Sequence, residues 1–136
     1  MAFVLDASVT LAWAFADEAH PTAEAALDLL QTEDGTAPVL WWFELRNALL
    51  AGERRHRIDQ ATTSAFLRRL ARLPIQIDRT PDEATLLDLA RRHRLTVYDA
   101  AYLELAQRCG LPLATLDQEL LQAASDAGVA LVGAKP

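Results

Sequence analysis

Of the nineteen acidic residues in this 136-residue chain, four fall where an acid can do more than solvate a surface. Asp6 closes the apolar run Phe3-Val4-Leu5-Asp6, and Asp117 closes Leu113-Ala114-Thr115-Leu116-Asp117. Glu44 falls in the first turn of the helix expected after the second strand, and Asp99 in the first turn of the helix expected before the fourth. In an open parallel sheet, ligands gather beyond the carboxyl ends of the strands, so these acids can converge there. Two carboxylates about 5 Å apart repel by roughly 3 kcal/mol at an effective dielectric near 20, so such a cluster needs a positive partner or shifted protonation. The only lysine, Lys135, is at the tail, which makes a divalent cation the natural partner. Oxygen-only ligands favour magnesium or manganese over zinc.

Each position also has a local explanation, because acids are favoured at helix starts by the macrodipole and by capping of free amides. Thr96-Val97-Tyr98-Asp99 has capping-box spacing, with Thr96 as the cap and Asp99 reaching back. Asp117 can equally cap the last long helix, and Glu44 taken alone reads as a solvated helix residue. Asp6 stands apart, because an acid at the border of a buried strand costs stability unless it is paired or metal-bound.

The elements that must position these acids follow from hydrophobic periodicity. Five short apolar runs, 2–5, 37–41, 75–77, 113–116 and 129–132, read as strands. Helical spacing covers 9–15, 23–30, 42–55, 60–73, 82–93, 98–109 and 118–127, about seven helices. Alternating strands and helices without hairpin turns predict a parallel sheet with helices on both faces, a three-layer α/β fold in a single domain over 1–136. Trp41 and Trp42 are expected in the core; for Trp13 and Phe15 a partner surface is the alternative.

Composition bounds the function classes. Hydrophobic residues make 51% and charged residues 24%, which excludes disordered and collagen-like chains. A net charge of −6 leaves no global attraction to nucleic acid or anionic membrane, so any such contact must be local. A lone cysteine, Cys109, closes no internal disulfide, and the three histidines lack zinc-type spacing; a cytoplasmic setting is the simplest expectation. The N-terminal stretch lacks the basic flank of a secretion signal, and Asp6 interrupts its apolar run.

Val4-Leu5-Asp6-Ala7-Ser8, Phe43-Glu44-Leu45-Arg46-Asn47-Ala48-Leu49, Tyr98-Asp99-Ala100-Ala101-Tyr102 with Leu105-Ala106, and Thr115-Leu116-Asp117 together resemble PIN-domain ribonucleases, most closely the VapC toxins. The likeness covers essentially the whole chain in order and spacing. It implies a five-stranded parallel sheet of order 3-2-1-4-5 that gathers Asp6, Glu44, Asp99 and Asp117 around magnesium or manganese. It also implies supporting or substrate contacts at Ser8, Asn47 and Thr115, a cognate VapB-type antitoxin and a toxin homodimer.

The chemistry implied is metal-assisted hydrolysis of RNA phosphodiesters, in which carboxylates hold one or two cations and hydroxide formed near neutral pH attacks phosphorus in line. Asp6 and Asp99 are the expected principal ligands, Glu44 a ligand or water-orienting base, and Asp117 a ligand or outer partner. RNA approaching an acidic protein needs local cations. Candidates are Arg46, expected nearest the acids, and the clusters Arg54-Arg55-His56-Arg57, Arg68-Arg69-Arg72 and Arg91-Arg92-His93-Arg94, against the ordinary reading of helical charge runs as solvated faces.

Rival readings fit less well. A haloacid-dehalogenase-like phosphatase needs Asp-x-Asp where this chain has Asp6-Ala7-Ser8, and both it and a response-regulator receiver use a lysine that Lys135 is badly placed to supply. Phosphate-binding glycine motifs are absent. A non-catalytic module that uses the acids for capping is the alternative from another class, and a nuclease acting on a different nucleic acid is a further one.

Overall fold

A computed structural model describes residues 2–133, so Lys135 lies outside the described residues. The chain runs β1 (Phe3–Leu5), α1 (Ala7–Ala14), a 3-10 turn (Ala16–Glu18), α2 (Pro21–Leu29), β2 (Gly35–Pro38), α3 (Val39–Arg54) and α4 (Gln60–Leu70). It continues through β3 (Ile75–Asp78), α5 (Glu83–His93), α6 (Val97–Cys109), β4 (Leu113–Ala114) and α7 (Gln118–Asp126). The strands form one parallel sheet of order β3-β2-β1-β4.

Local chemistry sets the helix boundaries. Asp59, Asp82, Thr96 and Asp117 each accept a backbone N–H from the first turn of the helix they precede, which satisfies otherwise orphaned donors. Gly110 ends α6 at φ 65°, a left-handed conformation that glycine adopts without a Cβ penalty. Residues 100–106 of α6 are all buried, as expected of a helix enclosed on every side. This helix packs against β1, β2 and β4 and carries the chain back across the sheet after β3.

The fifth strand expected over 129–132 is reduced to a single parallel bridge between Leu113 and Leu131. Leu113 donates to Ala130 O and accepts from Val132 N, both at 2.9 Å, so the segment lies against the β4 edge without propagating a ladder. β4 is also shorter than expected, because Thr115 turns its side chain toward Asp6 and Asp117 caps α7.

The second strand lies at Gly35–Pro38 rather than at 37–41, and α3 starts at once at Val39. A short apolar run fits strand or helix equally, and the pairing of Gly35–Pro38 with β3 leaves the tryptophans to the helix. Neighbouring residues on a helix diverge by about 100°, so Trp41 and Trp42 cannot both face the core. Trp41 is buried and donates from Nε1 to Thr10 Oγ1 at 2.9 Å, whereas Trp42 is 43% exposed. Phe15 is buried and Trp13 partly so, its Nε1 donating to Ala23 O at 2.8 Å.

Candidate active site

β1 is flanked by β2 on one side and β4 on the other, so the chain changes direction across the sheet between β1 and β4. The crevice at the carboxyl ends of these two strands is where such sheets bind ligands. Asp6 follows β1 directly, and Thr115 and Asp117 follow β4.

Asp6 is only 7% exposed. Its Oδ2 accepts hydrogen bonds from Thr115 Oγ1 at 2.6 Å and Ser8 Oγ at 2.7 Å. Ser8 Oγ in turn accepts from Leu116 N at 2.9 Å, and Thr115 Oγ1 from Asp117 N at 3.1 Å. Two hydroxyls thus lock one carboxylate oxygen to the start of α7. Burial pushes the Asp6 carboxyl above the usual range, the Thr115, Ser8 and Ala7 bonds pull it down, and Asp117 adds repulsion.

Glu44 stands in the second turn of α3, not the first, because that helix begins earlier than its apolar run suggested. The three-residue shift still places its carboxylate beside the cluster: Asp6 and Asp99 both act on it, raising a carboxyl that burial has already raised. Tyr102 opposes this by donating its hydroxyl to Glu44 Oε1 at 2.6 Å. Asp99, in the first turn of α6, is raised by burial first, then by Asp117, Asp6 and Glu119. Its amide donates to Thr96 Oγ1 at 3.1 Å.

Asp117 does cap α7, its Oδ1 accepting from Glu119 N at 2.9 Å and Leu120 N at 3.2 Å. Capping and membership of the cluster coexist, since the cap uses one oxygen.

Asn47, one turn beyond Glu44, is exposed, and among the described residues it makes no hydrogen bond to the acids. Arg46 is turned away from them. It stacks on Trp42 with its guanidinium carbon 3.7 Å from the ring centroid, donates to Trp42 O at 3.1 Å, and lines a cleft with α4 and β3. Residues two apart on a helix face nearly opposite ways, so Glu44 at the crevice sends Arg46 elsewhere.

Tyr102 was not singled out among the candidate site residues. The available signal was its spacing, since i+3 from Asp99 puts both on one face of α6.

The four acids form an all-oxygen donor set, three of them raised by burial and mutual repulsion, which fits a hard divalent cation. The spacing is open: among the described residues no three acidic, histidine or cysteine side chains close round a single point.

A PIN-domain family model matches residues 3–126. The chain belongs to the PIN-domain family. Among this PIN domain's relatives is Ribonuclease VapC3 of Pyrobaculum aerophilum, 32% identical over 125 residues that cover 90% of this chain and 94% of the relative. Exonuclease VapC9 of the same organism is 39% identical over 80 residues, 58% of this chain and 59% of the other. The crystal structure of PAE2754 from Pyrobaculum aerophilum superposes with TM-score 0.69 at 30% identity, covering 90% of this chain and 87% of that one. Mycobacterium tuberculosis VapC20, described as a sarcin-ricin loop cleaving toxin, shares the fold with TM-score 0.60 at 15% identity, covering 98% and 99%. Among the described residues the PIN sheet has four strands and a bridge where five strands were expected.

Proposed function

We propose that this PIN domain is a magnesium- or manganese-dependent endoribonuclease and the toxin of a toxin–antitoxin pair. The observation that carries the reading is the Asp6 carboxylate, buried at the switch between β1 and β4, pinned by Ser8 and Thr115, and coupled to three further acids. Burying a carboxylate beside like charges opposes folding, and a site for a divalent cation and a phosphodiester accounts for that cost. The nuclease names of VapC3, VapC9 and VapC20 support the same reaction class.

Asp6 and Asp99 would hold the cation, with Glu44 and Asp117 as further ligands or partners. When bound, the cation supplies Lewis acidity toward the phosphate and eases deprotonation of water. Glu44 orients the attacking water and receives its proton, and Tyr102 fixes the Glu44 carboxylate for that task. Ser8 and Thr115 keep Asp6 Oδ2 in place. A VapB-type antitoxin, a toxin homodimer and action in the cytoplasm complete the reading.

The test is incubation of the antitoxin-free protein with total RNA from its host plus magnesium or manganese, with new ends mapped by sequencing. Discrete internal cuts, abolished by EDTA and by Asp99→Asn, are expected. Intact RNA with both metals, or cuts that persist in Asp99→Asn, would overturn the proposal. Trimming from the ends alone would replace the endonuclease with an exonuclease.

A further inference from the structure

A cleft of about 500 Å³ separates the end of α5 from α7. His93 and Arg94 line one side of it, and Gln118, Glu119 and Gln122 the other. It opens beside the acids: the Glu119 amide is capped by Asp117 at 2.9 Å, and the Glu119 charge acts on Asp99.

The charges in this cleft are unevenly committed. Arg92 is taken up by Asp88 at 2.7 Å within α5, and Asp126 accepts from Gln122 Nε2 at 3.0 Å. Among the described residues no carboxylate pairs with Arg94. Its backbone is also unusual, since it ends α5 in the left-handed region at φ 54°, ψ 42°. α6 ends in the same conformation on Gly110, which pays no Cβ penalty. An arginine at this position carries a Cβ penalty that glycine would not, as does His56 just after α3 at φ 58°.

We infer that this cleft seats the single-stranded backbone of the RNA on the Asp99 and Asp117 side of the crevice, with Arg94 holding one phosphate through its guanidinium fork. This deepens the nuclease reading and rests on it. Arginine donors match phosphate bidentately, and contacts of this kind set register rather than sequence. The Gln118 amide faces the same space and can meet sugar hydroxyls or base edges. Glu119 and Asp126 leave the cleft without a dense positive field, so it suits a polyanion whose main anchor lies elsewhere. A strand already anchored at the acids needs only one such contact to be steered.

The experiment compares Arg94→Gly, Arg94→Lys and a charge control, Arg68→Gln, in cleavage of a defined single-stranded RNA at several salt concentrations. Arg68 belongs to an arginine cluster considered as an RNA contact from the sequence, but it lies on α4, beside edge strand β3 at the far side of the sheet from β4, and so away from the Asp99 and Asp117 side. Arg94→Gly should hold or raise the Tm, since glycine suits the left-handed backbone. The same variant should raise KM about tenfold with kcat within about twofold, and flatten the log–log salt dependence by about 0.7, the share of one phosphate contact. Arg94→Lys should keep the wild-type salt slope but recover KM only in part, because an ammonium has no fork, and without the gain in Tm; Arg68→Gln should match the wild type. An unchanged KM and salt slope in Arg94→Gly, while the wild type cleaves, would overturn the inference and leave the nuclease standing. An equal KM change in Arg68→Gln would also overturn it, as would wild-type RNA kinetics together with weakened capture of a polyglutamate probe. A wild type that cleaves no RNA removes the nuclease reading and this inference with it.

Discussion

The Tyr102 hydroxyl donates to Glu44 Oε1 across 2.6 Å and so ties the buried helix α6 to α3 at the edge of the acid cluster. Glu44 and Tyr102 are 58 residues apart in sequence. Tyr102 is fully buried, its phenol is held protonated by burial and by neighbouring carboxylates, and its donation is what offsets the upward push on Glu44.

Tyr102→Phe removes that donor and nothing of the ring. The Glu44 carboxyl then rises further, so the acid limb of the kcat/KM profile should move to higher pH. Stability should fall by about 1.5–3 kcal/mol, the range for losing a hydrogen bond to a charged group. Cleavage profiles and urea unfolding of the two proteins check both statements.

Asp6, Glu44 and Asp99 all sit above their ordinary values, chiefly through burial. A carboxyl raised in the folded state keeps a proton there that the unfolded chain has released, so its contribution to stability declines as pH rises through the folded value. Asp6→Asn should therefore stabilise the metal-free protein by about 1 kcal/mol at neutral pH, an advantage that fades as pH falls through the raised folded value and is gone once pH reaches the ordinary aspartate range. Magnesium or manganese should raise the Tm of the wild type but not that of Asp6→Asn, and cleavage should be lost in the variant. Thermal melts from pH 3.5 to 8, with and without metal, carry the comparison.

Away from the crevice, Arg108 bridges Glu104, 1% exposed, and Asp78 at the end of β3. Its Nε donates to Glu104 Oε2 at 2.8 Å and its Nη2 to Asp78 Oδ2 at 2.6 Å. Arg108 holds Asp78 below the usual range. That stabilisation is present above the unfolded aspartate pKa and disappears as pH falls through the lowered folded value. Arg108→Met should cost about 3 kcal/mol at pH 7, mostly by stranding buried Glu104. The part that belongs to Asp78 should vanish in acid, which chemical denaturation at pH 7 and pH 3 will register.

Gly52 lies inside α3, where alanine usually stabilises a helix. A Cβ at this position would come within 2.8 Å of two carbons of the Phe15 ring, which is itself covered by the Arg57 guanidinium at 4.1 Å. Gly52→Ala should therefore destabilise the protein, by about 1–3 kcal/mol of overpacking against a smaller gain in helix propensity. A raised Tm in the variant would show that the Phe15 ring moves freely.

Much of the framework was legible because its causes are local. The caps at Thr96 and Asp117 are written as short spacings, and the strands as short apolar runs. The errors fell where local signals tie. The run 37–41 suits strand or helix, and its resolution at Pro38 moved Glu44 into the second turn and Trp42 onto the surface. The run 129–132 has strand composition but reaches β4 only through Leu131.

The sequence by itself determined that Asp6 follows a strand and that Asp99 and Asp117 open helices, because periodicity and capping act within a few residues. Only the tertiary structure decided what those acids meet. The Thr115 bond to Asp6 spans 109 residues, the Tyr102 bond to Glu44 spans 58, and the link from Arg108 to Asp78 spans 30. Contacts of that separation depend on strand order and on which helix crosses which strand. The same packing set Arg94 on one wall of a cleft opposite Gln118 and Glu119 of α7.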